Sequence, residues 1–168
     1  MKALRRLSWS LIVLVASAHA AKLPDYIPSE HREAVQTWLD THAQYRLALT
    51  EDCQCDEDIE SIRRGPEGFW EPEPAYQPYA AVGDFDGDGL KDLVVVVVPL
   101  KAGHRALVLV FFGAPGSVPI TVKTQREGSV AGLGLFARAP ATTAENQSWR
   151  LLVGAFESEA EEVLIKRR

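Results

Sequence analysis

The sequence predicts an α+β domain in which N-terminal helices pack on a mostly antiparallel sheet of about six or seven strands. Before residue 65 the apolar residues recur at helical spacing, whereas after residue 79 they form short runs rich in Val and Leu. Short segments that contain Gly or Pro separate these later runs, which favours antiparallel neighbours. The 168 residues correspond to one domain by the usual size range.

The first 20 residues have the features of a secretory signal peptide. Lys2, Arg5 and Arg6 form a basic start, residues 7–18 are apolar, and residues 18–20 read Ala-His-Ala, a small-x-small cleavage site. An uncleaved anchor is the alternative, but this apolar run is shorter than the ~20 residues that span a bilayer. The sequence therefore predicts a secreted or periplasmic protein with no membrane span in its mature chain.

The mature chain is expected to form one domain with two parts. The first part, residues 21–78, contains the helices and a proline-rich connector, and the second part, residues 79–168, contains the strands and an aspartate-rich loop. Its composition is ordinary for a globular protein, with 46% hydrophobic and 24% charged residues. The net charge is −5 and becomes more negative when the three basic residues of the signal are removed. Binding to nucleic acid is therefore disfavoured, and an unidentified protein or glycan is the expected partner.

A first amphipathic helix is predicted from Ser29 to His42. Val35, Trp38, Leu39 and His42 recur at i, i+3, i+4 and i+7, and Ser29 is a suitable N-cap. This spacing puts Trp38 on the face that points towards the core.

A second, shorter helix is predicted from Asp56, which can cap it, to the basic residues before Gly65. Ile59 and Ile62 share a face, and Gly65 can adopt the left-handed conformation that ends a helix. Residues 45–49 alternate in polarity and are compatible with either a short strand or a continued helix.

Prolines at 66, 72, 74 and 78 predict an extended connector on the surface, after which the chain changes to strands. Two of the strand segments are apolar at consecutive positions, which predicts that both of their faces are covered and that they are central. The predicted strand segments are 79–83, 93–98, 106–112, 120–124, 133–137, 150–156 and 163–166.

The loop from residue 84 to residue 92 carries aspartates at its positions 1, 3, 5 and 9. Four carboxylates this close together repel one another unless a cation lies among them. Gly87 and Gly89 allow the loop to fold back, so that the alternate side chains converge. Oxygen ligands in a flexible loop favour Ca²⁺ over Zn²⁺ or Mg²⁺. The predicted ligands are Asp84, Asp86, Asp88, the carbonyl of Leu90, and Asp92.

This loop joins two strand segments, and its twelfth position is Val95 where a helix–loop–helix calcium hand requires Glu. Over about residues 79–112 the sequence resembles the FG-GAP/VCBS repeat, the integrin-α-like calcium-binding unit. The resemblance implies the same set of calcium ligands. With a single copy, a closed propeller is not available. The alternative is a metal-free Asp-Gly hairpin turn.

Cys53 and Cys55 form the only thiol pair. A structural disulfide, a redox-active pair, a thiolate metal site and free thiols are all compatible with this spacing. Acidic neighbours raise a thiol pKa, whereas the predicted helix that begins at Asp56 lowers it.

Glu71 and Glu73 lie beside aromatic residues in the connector and could act as acid and base on a carbohydrate. The histidines of the mature chain have no metal-binding spacing, and no motif for nucleophilic catalysis or phosphate binding occurs. The sequence therefore predicts an exported calcium-binding module with a binding or structural role, and not an enzyme. A thiol/redox protein that uses Cys53 and Cys55 is one alternative, and a small carbohydrate hydrolase is another.

Overall fold

A computed structural model describes residues 22–65, 71–101, 103–125, 129–140, 148–156 and 160–166. The predicted signal peptide lies outside these ranges. The described helices are α1 (Arg32–Thr41) and α2 (Asp56–Arg64). The described strands are β1 (Tyr45–Leu47), β2 (Ala80–Gly83), β3 (Asp92–Pro99), β4 (Ala106–Phe111), β5 (Ile120–Gln125), β6 (Leu133–Arg138), β7 (Arg150–Ala155) and β8 (Glu161–Val163). Within these ranges, no helix is long and apolar enough to cross a membrane.

The strands form two antiparallel sheets, which corrects the prediction of a single sheet of six or seven strands. In the five-stranded sheet, β1 and β2 both pair with one edge of β3, and β4 and β5 follow on the other side. The three-stranded sheet has the order β6-β7-β8. The stretch that the sequence left open forms β1, whose Leu47 lies opposite Val97 of β3.

Strand β3 is the centre of the molecule, as its unbroken apolar sequence predicts. All residues from Asp92 to Val98 are buried. Successive side chains of a strand point to opposite faces, so Val94 and Val96 enter one apolar core and Leu93 and Val95 enter another. The first core lies between the two sheets, since it includes Leu135 of β6, and the second contains residues of α1.

Helix α1 covers the outer face of the five-stranded sheet. Val35 is buried in the second core, and Trp38 packs against the same core while partly exposed. Ser29 does not cap this helix, because it lies in a single turn of 3₁₀ helix and its hydroxyl bonds to the Glu30 carboxylate, 3.1 Å away. The predicted Ser29 cap is therefore wrong.

Helix α2 occupies the predicted residues and buries Ile59 in the first core. Asp56 is its first helical residue rather than its cap, which is Cys55. The helix ends at Gly65, whose φ of 66° is in the left-handed region, as predicted.

The connector lies on the surface only in its first part. Glu71 and Pro72 are exposed, but Tyr76 and Tyr79 are buried in the first core. The Tyr76 ring stacks on Phe136 of β6 with 5.3 Å between the ring centroids. The connector therefore contributes aromatic residues to the contact between the two sheets, which proline spacing alone does not predict.

Candidate metal centre

The aspartate loop connects the end of β2 at Gly83 to the start of β3 at Asp92. Gly87 and Gly89 have φ angles of 79° and 85°, in the region that glycine adopts most easily. These two residues reverse the chain direction, as the sequence predicts, and bring the intervening side chains towards one another.

Backbone amides of the loop hold the three leading carboxylates in place. Asp84 accepts hydrogen bonds from the N–H groups of Gly87 (2.8 Å) and Gly89 (3.0 Å), one on each oxygen. Asp86 Oδ1 accepts the Asp88 N–H at 3.1 Å. Asp88 Oδ1 accepts the Leu90 N–H at 2.8 Å. Each carboxylate is therefore oriented by the fold of the loop itself.

The carboxylates of Asp84, Asp86 and Asp88 converge, with one oxygen of each within 4.8 Å of the others. Ca²⁺ binds oxygen at about 2.3–2.6 Å, so two ligands on opposite sides of one ion are about 5 Å apart. The three oxygens therefore fit around a single calcium ion. Asp88 is exposed and Asp84 and Asp86 are half-buried, which leaves the group open on one side.

Asp92 differs from the other three aspartates because both of its oxygens bind backbone amides. The Phe85 N–H donates to Oδ2 and the Gly113 N–H donates to Oδ1, each at 2.9 Å. Asp92 is fully buried, and burial raises the pKa of its carboxyl group. In this position Asp92 ties the loop to Gly113, two residues after the end of β4.

Two predicted ligands therefore lie outside the converging group of three. Asp92 is not a member of that group, and its two oxygens accept backbone amides, so its role as a ligand stays a prediction. The side chain of Leu90 is 44% exposed, and its carbonyl remains a ligand by prediction only. Three of the five predicted ligand residues are brought together.

Sequence reasoning missed the contact that His31 makes, because the spacing of the histidines indicates no site. His31 is 2% exposed, and its Nε2–H donates to the Lys91 carbonyl at 2.9 Å. The loop is also held by Trp149, whose backbone N–H donates to the Asp84 carbonyl at 2.7 Å. Both contacts join residues that are far apart in the chain, and no local pattern indicates them.

Cys53 and Cys55 lie with their sulfur atoms adjacent and their Cα atoms 5.1 Å apart, a separation that a disulfide can span. Gln54 between them has a φ of 54°, which brings the two side chains to the same side. Cys53 is 0% and Cys55 is 7% exposed. Burial of this kind favours a structural disulfide, since thiol–disulfide exchange requires access for a second thiolate.

The two connector glutamates have different surroundings. Glu71 is exposed, whereas Glu73 Oε1 accepts a hydrogen bond from Arg138 Nη1 at 2.9 Å. Glu73 and Tyr76 also line a cavity between β2 and β6. The hydrolase hypothesis also involves Trp70 and Tyr79; Trp70 lies outside the described residues, and Tyr79 is buried in the first core.

Comparison with known proteins found no family model, no curated protein and no solved structure that matches this chain. The resemblance of residues 79–112 to the FG-GAP/VCBS repeat therefore stays a prediction that depends on the loop residues themselves.

Proposed function

We propose that the protein is an exported module that binds one calcium ion in the loop from Asp84 to Asp92 and has a structural or binding role rather than an enzymatic one. The observation that carries this proposal is the convergence of three carboxylate oxygens within 4.8 Å. Without a cation, three negative charges at this distance repel one another.

The donor set supports calcium over other metals. All three converging groups are carboxylates, which suit hard cations, and neither a histidine nor a cysteine lies in the group. Mg²⁺ binds oxygen at about 2.0–2.1 Å in near-octahedral geometry and retains several waters, which a loop of adjustable carboxylates does not enforce. A compartment outside the cytosol, which the predicted signal peptide of residues 1–20 implies, also offers more calcium.

The position of the loop suggests what the ion does. The loop leads directly into β3, which is buried along its length and pairs with β1, β2 and β4. An ion that joins Asp84 to Asp88 would fix the turn from which the central strand begins. The proposed role is therefore stabilisation of the β2–β3 connection.

The thiol/redox and hydrolase alternatives have weaker support. Cys53 and Cys55 are buried, so neither sulfur is placed for exchange with a partner. Glu73 Oε1 already accepts a hydrogen bond from Arg138, and Glu71 is exposed. We therefore retain the calcium-binding module as the single proposed function.

Metal analysis and calorimetric titration of the purified mature chain test this proposal. We expect one calcium ion per chain, a weaker response to Mg²⁺, and loss of binding in Asp86→Ala. Lys91→Ala is the matched control, because Lys91 is an exposed residue of the same loop outside the converging group. Absence of calcium from the protein together with no heat of binding in wild type would return the loop to a metal-free hairpin.

A further inference from the structure

A cavity of about 540 Å³ opens where β2 of the larger sheet approaches β6 of the smaller one. Two backbone hydrogen bonds close its ends, from Leu135 N–H to the Pro78 carbonyl (2.8 Å) and from Trp149 N–H to the Asp84 carbonyl (2.7 Å). Between them lie Tyr79 and β2 (Ala80–Gly83), and β2 is about 13 Å long at the usual rise of a strand. The volume of the cavity is within the range of about 300–1,000 Å³ that small-molecule sites have.

The β2 wall of the cavity is a strand edge. The Val96 N–H donates to the Tyr79 carbonyl (3.0 Å), so Tyr79 and Ala81 direct their backbone groups towards β3. Bonding alternates along an antiparallel pair, so the groups of Ala80 and Val82 point the other way. The Ala80 N–H bonds weakly to the Gln77 carbonyl (3.4 Å), and on this side β2 has no strand partner among the described residues.

The β6 wall is an edge of the same kind. The Phe156 N–H donates to the Gly132 carbonyl (3.0 Å), so the even-numbered residues of β6 bond to β7. Leu135 and Ala137 therefore direct their backbone groups away from β7 and towards β2. Within the described part of the chain, β6 has no strand partner on this side. The cavity thus offers donors and acceptors from both sides.

Aromatic side chains complete the lining. Part of the Trp149 indole lies over Gly83, where a Cβ atom would be 2.8 Å from the ring, and the side chain is half-buried. The Tyr26 ring is held by a hydrogen bond from its hydroxyl to the Ala48 carbonyl (3.3 Å). Both rings line the cavity and offer apolar surface beside the polar strand edges.

The charges around the cavity argue against an anionic ligand. Glu73 is the one ionisable carboxylate in its described lining, and its Oε1 is bonded to Arg138. The lining contains no Lys or Arg among the described residues, so an anion in the cavity would find no cationic side chain of the lining to pair with. Gln77 adds an uncharged amide.

We propose that this cavity binds a neutral saccharide of one or two rings. A sugar ring presents C–H faces that pack on aromatic rings and hydroxyl groups that both donate and accept, which matches the mixed edges of β2 and β6. An extended peptide does not fit, because the hydrogen bonds at Pro78 and Asp84 close both ends of the open stretch. This site is separate from the proposed calcium function and does not require the ion.

Ligand-observed NMR with the mature protein tests the proposal, using glucose, galactose, N-acetylglucosamine and their disaccharides. Choline and glucuronate serve as cationic and anionic comparison ligands. We expect at least one neutral sugar to bind, both in calcium and in a chelator, whether or not the aspartate loop holds an ion. Binding by none of the neutral sugars, or by choline or glucuronate alone, overturns the proposal.

Two pairs of variants locate the site. Ala75→Phe adds bulk at an exposed residue of the cavity lining and should abolish binding, whereas Ala131→Phe, at an exposed turn residue outside the lining, should not. Gln77→Ala removes one amide and should weaken binding about fivefold, as expected for one neutral hydrogen bond. Its control is Gln36→Ala on α1. Sugar binding that is unchanged in both Ala75→Phe and Gln77→Ala places the site elsewhere and contradicts the inference.

Discussion

Replacement of Asp88 by Asn separates a calcium site from a metal-free turn, because the two give changes of opposite sign. Asn retains an oxygen that can accept the Leu90 N–H bond, so the local fold of the loop is preserved. Asp84 is a poorer choice, since both of its oxygens accept backbone N–H groups and an amide NH₂ would face one of them. Asp88→Asn therefore changes the charge with little change in shape.

The expected effect without calcium follows from the spacing of the carboxylates. Oxygens within 4.8 Å of one another repel by about 0.9 kcal/mol per pair in water. Asp88 takes part in two of the three pairs, and screening at physiological salt lowers their sum to about 1 kcal/mol. Asp88→Asn should therefore raise the melting temperature of the chelated protein by about 2–4 °C.

In calcium the same substitution should reduce stabilisation. At a tenfold excess over Kd, an ion that binds only the folded chain adds about 1.4 kcal/mol, or about 3–6 °C for a domain of this size. Asp88→Asn should lose most of this shift. Asp40→Asn, which makes the same change at an exposed residue of α1, should keep it.

The assay is thermal unfolding of wild type and both variants in chelator and in calcium. An equal calcium shift in wild type and Asp88→Asn would show that the ion does not use Asp88. A lower melting temperature for Asp88→Asn in chelator would show that the repulsion calculated from the structure is absent.

Three further predictions concern buried polar groups. Asp92→Asn should lower the free energy of unfolding by about 1–3 kcal/mol, both in chelator and in calcium, because an amide NH₂ would face the N–H of Phe85 or Gly113. Denaturant unfolding measures this change. If the substitution reduces only the stabilisation by calcium, Asp92 is a ligand instead. Tyr76→Phe should raise the free energy of unfolding by about 1 kcal/mol in the same assay, because the Tyr76 hydroxyl is buried without a hydrogen-bond partner among the described residues. Burial raises the Tyr26 pKa from 10.0 to about 12, so the folded state retains a proton that the unfolded state loses, and stability should fall as the pH rises from about 10 to 12. Burial also raises the pKa of Tyr76 and Tyr79, so Tyr26→Phe should lessen that decline in pH-dependent melts without abolishing it.

The strands and the loop conformation follow from local sequence, and this is why they could be predicted. The valine run of β3 is apolar at every position, so only a strand covered on both faces accommodates it. Asp-Gly repeats in the loop combine short carboxylates with residues that tolerate positive φ, and the loop folds back as that combination indicates.

The division into two sheets and the role of Asp92 depend on contacts between distant residues. Strand β1 has only three residues, too few to distinguish a strand from a helix by periodicity, and its pairing with β3 settles the question. Asp92 has the spacing of a ligand, but Gly113, which binds its Oδ1, is 21 residues away. No spacing rule within the loop indicates that the Asp92 carboxylate accepts two backbone amides.

Three separate parts of the chain hold the loop, so that its fold does not depend on calcium. His31 bonds to the Lys91 carbonyl, Gly113 bonds to Asp92, and Trp149 bonds to the Asp84 carbonyl. These contacts fix both ends of the loop, while its glycine amides orient Asp84 from within. The loop of the proposed site is therefore already folded without an ion, and it would lose little conformational entropy when calcium binds. For this reason we expect calcium to shift the unfolding temperature by a few degrees, and the chelated protein to remain folded.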